Sequence, residues 1–120
     1  MANGKTAVVY TSRTVIDLSD QTPEQLLAIS VRISDALTSV VSRLAKRPRF
    51  LIAKGGITSS DVGTIALAVK KARVLGQVQP GIPVWKIGEE SRFPGMSYII
   101  FPGNVGDEDT LRKIVEVLNR

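Results

Sequence analysis

Apolar residues along the chain fall into two patterns, short uninterrupted blocks and longer stripes at helical spacing. The blocks Ala7-Val8-Val9-Tyr10, Phe50-Leu51-Ile52-Ala53 and Tyr98-Ile99-Ile100-Phe101 have the length of buried strands. Leu26, Ile29, Ile33, Leu37, Val40, Val41 and Leu44 recur every three or four residues, with Arg32, Asp35, Ser39 and Arg43 between them. That spacing predicts a long amphipathic helix. Thr22 suits its N-cap, Pro23 its first position, and Gln25 closes a capping box. The helix must stop before Pro48, because the residue ahead of proline avoids helical angles.

A second stripe, Val62, Ile65, Ala66, Val69 and Ala72, predicts a helix from about Asp61, with Lys70 and Lys71 near its negative end. A third, Leu111, Ile114, Val115 and Leu118, predicts a closing helix from near Asp107. Val74 to Val78 and Ile82 to Ile87 flank Gln79-Pro80-Gly81, where Pro and Gly suit a type II turn, so these residues predict a β-hairpin. Gly88 to Ser97 reads as a loop.

Strand, long helix, strand is a crossover unit, and crossovers join parallel strands. The expected fold is therefore of the α/β class: one domain over residues 1–120, with a mostly parallel sheet flanked by helices in three layers and a hairpin near 74–87.

Composition narrows the chemistry. The chain of 120 residues contains no cysteine and no histidine, which removes disulfides, thiol nucleophiles, Cys/His zinc sites and histidine-dependent triads. A net charge of +5 favours anionic partners such as nucleotides or phosphorylated metabolites. Nucleic acid is not the expected partner, because the six aromatic residues do not interleave with the scattered cations to form a stacking surface. No apolar run reaches a membrane span and no signal-peptide core opens the chain, so no membrane role is expected and a cytoplasmic setting is the expectation.

Three loops follow apolar blocks: Thr11-Ser12-Arg13, Gly55 to Ser60, and Pro102 to Gly106. In parallel strands all three would lie on one sheet edge, where open α/β sheets bind ligands. Gly55-Gly56-Ile57-Thr58 has the makings of a phosphate cradle. Paired glycines admit a close approach to the backbone, the following helix turns its amides toward the loop, and Lys54, Thr58, Ser59 and Ser60 add donors. The same letters also describe an ordinary strand-to-helix turn capped by Ser59 or Ser60. Neither the Walker pattern nor the dinucleotide pattern is present. Gly103 and Asn104 raise the same pair of readings, ligand contact or tight turn. Asp107, Glu108 and Asp109 read first as helix-capping acids, and alternatively as magnesium ligands beside phosphates. Trp85 reads as core or sheet packing.

Tyr10-Thr11-Ser12-Arg13, Lys54-Gly55-Gly56-Ile57-Thr58-Ser59-Ser60-Asp61 and Phe101-Pro102-Gly103-Asn104-Val105-Gly106-Asp107-Glu108-Asp109, with Val74-Leu75-Gly76-Gln77 and Pro80-Gly81-Ile82-Pro83-Val84-Trp85 between them, form a combination. It resembles the C-terminal, nucleotide-binding domain of the four-carbon acid sugar kinase family, from about Thr6 to Leu118. The resemblance implies ATP-dependent phosphorylation of threonate- or erythronate-type acids. It implies that Gly55, Gly56, Ile57, Thr58 and Gly103 contact ATP, with magnesium accompanying it; Asn104 joins them by proximity.

The resemblance also implies an N-terminal sugar-acid-binding domain as a partner in a longer chain. The family's nucleotide domain starts earlier than this sequence, with a serine that has no counterpart here. The expectation is a kinase fragment inactive alone, with no catalytic residue named and a homodimer left open. The alternative is a non-catalytic module that binds a phosphorylated metabolite or a partner protein.

Overall fold

The computed structural model describes residues 6–10 and 22–119. Helix α1 (Pro23–Ser42) begins as its sequence requires. The Thr22 hydroxyl accepts from the Gln25 amide, and the Gln25 side chain accepts from the Thr22 amide. Strand β1 (Phe50–Lys54) leads into α2 (Gly56–Asp61), which widens without a break into a π-helical turn (Val62–Ala66). Strands β2 (Ala72–Gln79) and β3 (Ile82–Ile87) form the hairpin, and β4 (Ser97–Phe101) precedes the last helix, α3 (Thr110–Leu118). Gly81 has φ +80°, the value that a type II turn demands after Pro80.

The sheet has the order β1-β4-β3-β2. Only β1 and β4 are parallel; β3 runs antiparallel to β4, and β2 antiparallel to β3. The sheet is thus mixed and mostly antiparallel, not mostly parallel. The cause is two direct connections: the hairpin turn opposes β2 and β3, and the short, helix-free link from Ile87 to Ser97 brings β4 back against β3. Ala7 to Tyr10 contributes no strand: these residues are irregular and exposed, so the first expected crossover does not form among the described residues.

Strand alternation makes two cores, one on each sheet face, and gives three layers. On one face Leu51, Ala53, Tyr98 and Ile100 pack with Val41 and Leu44 of the α1 end, Val62, Leu67 and Met96. On the other, Phe50, Ile52, Ile82, Val84, Ile99 and Phe101 pack against Ile114 and Leu118 of α3.

Helix α1 buries less of its stripe than its periodicity predicts. Leu26, Ile33 and Val40 are exposed, and Thr38 is its buried residue. The helix docks by its second half, where Ser34 donates to the Asp61 carboxylate at 2.6 Å. Arg92 ties the C-terminal end of α1 to the loop before β4 by donating to the carbonyls of Val41 and Leu44. Among the described residues no helix is long and apolar enough to cross a membrane.

Candidate functional site

The parallel pairing of β1 with β4 decides where the two glycine loops go. Lys54 is in register with Phe101, so both strands end at the same edge. The Gly55 amide donates to the Phe101 carbonyl at 2.8 Å, and a Cβ on Gly103 would stand 3.8 Å from the Gly55 Cα. The loops carrying Gly55 to Thr58 and Gly103 to Asn104 therefore touch. Thr11-Ser12-Arg13 lies outside the described residues.

The helix after β1 starts five residues earlier than the stripe suggested, at Gly56 and not near Asp61. Its N-cap is Gly55, which makes no side-chain capping bond. Ser59 is not a cap, because its hydroxyl donates back to the Ala53 carbonyl at 2.9 Å and pins the loop to the strand. The first helical amides, those of Gly56, Ile57 and Thr58, have no intrahelical acceptor by geometry and stand at the rim.

Gly55 needs to be glycine for its backbone, at φ +103°. Gly56 does not: a Cβ there would meet nothing within 4 Å. At Gly103 a Cβ would make only ordinary contact. The fold therefore tolerates side chains at two rim positions that the sequence leaves bare.

Two further groups join this edge. The Lys54 ammonium lies 5.1 Å from the Phe101 ring centroid, which holds a positive charge beside both loops. The hairpin tip arrives from the other side, with a Gly81 Cβ position 3.4 Å from Val105. Pro80-Gly81 read simply as a turn, and only the antiparallel placement of β3 beside β4 reveals that it abuts the Gly-Asn loop.

Asp107 serves the last helix. Its carboxylate accepts from the Asp109 amide at 2.9 Å and from the Thr110 hydroxyl at 3.1 Å, while its own amide donates to Thr110 Oγ1 at 2.8 Å. The Asp109 amide, then the Thr110 hydroxyl, hold its carboxyl below the usual aspartate range. Among the described residues no three acids gather as a metal centre.

A cavity of about 400 Å³ opens beside the rim, on the face carrying α2. One wall is the α2 and π-turn surface from Gly56 to Thr64; the other is Trp85, with Val69, Lys70 and Ala72; Tyr98 and Ile100 form the floor. Trp85 is half-buried and lines this space, so it is not a core residue. Burial, opposed by a weaker hydrogen bond from the Gly63 backbone, pushes the Tyr98 phenol far above its ordinary pKa, so it stays a neutral donor.

A family model described as a nucleotide-binding C-terminal domain matches residues 1–111. The chain is also similar to a crystal structure of a domain of unknown function from Bordetella bronchiseptica, with bound citrate and described as a domain-swapped dimer. That likeness has a TM-score of 0.59 at 20% identity and covers 73% of this chain. It covers 21% of the other, so the sequence spans about a fifth of that protein's length. No curated protein matches the sequence closely enough to count as a relative.

Proposed function

Because the chain belongs to the family of nucleotide-binding C-terminal domains, we propose that it binds ATP at the rim formed by Gly55, Gly56, Ile57 and Thr58 with Gly103 and Asn104. The observation that carries this reading is the contact between the two loops, in which neither Gly56 nor Gly103 is required by the backbone. Bare backbone at both positions lets phosphate oxygens approach amide hydrogens, and Lys54 supplies charge.

We further propose that the domain is the nucleotide half of a kinase acting on small sugar acids of the threonate or erythronate type. Phosphoryl transfer asks mainly for positioning and charge stabilisation, which backbone amides and a cation can give. The acceptor and its base belong to an N-terminal domain of a longer chain. Magnesium, in this reading, enters with the triphosphate. The acceptor class rests on the resemblance of the loop sequences, and the domain swap of the Bordetella protein supports a homodimer.

Calorimetric titration of ATP tests the reading. Weak but measurable binding without sugar-acid turnover is expected of the 120 residues, and equal affinity in Gly56→Val would overturn the assignment of the loop. A non-catalytic module for phosphorylated metabolites would instead be stabilised by simple phosphates as strongly as by ATP with magnesium.

A further inference from the structure

The cavity beside Trp85 lies outside the glycine loops, yet it begins where they end. Gly56 belongs to both, as the first residue of α2 at the rim and as one end of the cavity wall. From there the space follows α2 and its π-turn over Ile100 and Tyr98 toward Lys70, with Trp85 opposite. At about 400 Å³ it falls within the range of small-ligand sites.

We propose that this cavity is the slot for the nucleobase of the bound nucleotide, with Trp85 as its stacking wall; the assignment rests on the nucleotide reading of the rim. The chemistry of the lining favours a flat heteroaromatic ring over a sugar acid. The floor is apolar and aromatic, and Trp85 lines the space with an indole, the kind of ring on which bases stack. Polar groups sit at the edges. Thr64 has given its hydroxyl proton to the Ser60 carbonyl at 2.8 Å, so it offers an exocyclic amine only acceptor lone pairs. Lys70 lines the far end and brings donors for a ring nitrogen.

The local fold builds this space. The Tyr98 hydroxyl donates to the Ser59 carbonyl, and Gly63 stands against the phenol ring with 3.5 Å between its Cβ position and the nearest ring carbon. That contact fixes the helix over β4 and leaves Trp85 of the neighbouring β3 only partly covered, where it lines the space.

Trp85 is the single tryptophan, so its emission reports on the slot directly. The test compares ATP with inorganic tripolyphosphate, which has the charge but no base, on the full chain. ATP is expected to quench Trp85 emission and to bind about tenfold or more tightly than tripolyphosphate, which leaves emission unchanged. Trp85→Leu should reduce ATP to the affinity of tripolyphosphate, and Trp85→Phe should restore much of the difference. Equal affinities of the two ligands in the wild type, or unaltered ATP binding in Trp85→Leu, would overturn the slot while the rim stands. Failure of both ligands to bind would overturn the rim and the slot together. If Trp85→Leu loses its fold by circular dichroism, the wild-type quenching comparison decides.

Discussion

The Tyr98 hydroxyl donates to the Ser59 carbonyl at 2.5 Å, and Gly63 stands against the same ring, with 3.5 Å between its Cβ position and the nearest ring carbon. Ser59 and Gly63 are the pair that a regular α-helix would bond to each other. The phenol packs against this stretch, and the turn that follows it is wider: Leu67 bonds back to the Val62 carbonyl in the π pattern.

Tyr98→Phe removes the hydroxyl and its bond to Ser59 while keeping the ring. It should cost about 1–2 kcal/mol, read as a lower Tm. The pH dependence follows from the raised pKa. The folded protein keeps the phenolic proton where the unfolded chain releases it, so the contribution is complete below about pH 10 and declines as pH rises further. Tyr98→Phe should lose less stability than the wild type above that pH, and matching alkaline profiles would contradict the account.

The two adjacent rim glycines should behave oppositely. Gly55→Val forces a β-branched residue to φ +103° and should cost about 1–3 kcal/mol. Gly56→Val meets open space, so its melting temperature should stay near that of the wild type while nucleotide affinity falls. Thermal melts and ATP calorimetry on both variants separate the roles.

Ala68 closes the π-turn in the left-handed region, at φ +54°. Ala68→Gly relieves the strain of its Cβ, partly offset by the freer unfolded chain, and should stabilise the domain by up to about 1 kcal/mol. A drop in Tm would show that the methyl group contributes packing that outweighs the strain.

Gly106 has φ +84°, and a Cβ there would press to 2.7 Å from Thr110 Oγ1. Gly106→Ala should therefore destabilise the domain and disturb the Asp107–Thr110 pair. That pair also gives an acid signature. The folded pKa of Asp107 is depressed, so its contribution is present above the ordinary aspartate value of about 4 and is lost as pH falls below it. Asp107→Ala should lower Tm at neutral pH and flatten the acid limb of the stability profile, as chemical denaturation at several pH values would measure.

Signals confined to a few neighbouring residues were legible in the sequence. Thr22-Pro23-Glu24-Gln25 announced the start of α1, and Pro80-Gly81 the hairpin turn, because cap and turn chemistry is local. The start of α2 was misread because serines and Asp61 are the usual caps, whereas the helix opens on a glycine with no side-chain bond. The sheet direction failed for a different reason. Nothing within Val74 to Ile87 states which strand the hairpin will join, and its choice of β4 turned the sheet mostly antiparallel.

The block Ala7 to Tyr10 has strand composition but stays exposed, since four apolar residues specify an affinity for a sheet and not a place in one. At the site, the meeting of the two glycine loops was readable from strand-then-loop order. The approach of Gly81 and the cavity beside Trp85 were not, because both depend on which strands lie side by side.

The register that sets Lys54 beside Phe101 joins segments from opposite sides of the long hairpin excursion. The rim is thus a composite of two loops far apart in sequence. Neither loop alone offers the composite surface. Under the proposed rim site, a bound nucleotide would span both loops and so favour the paired state over any state in which β1 and β4 stand apart.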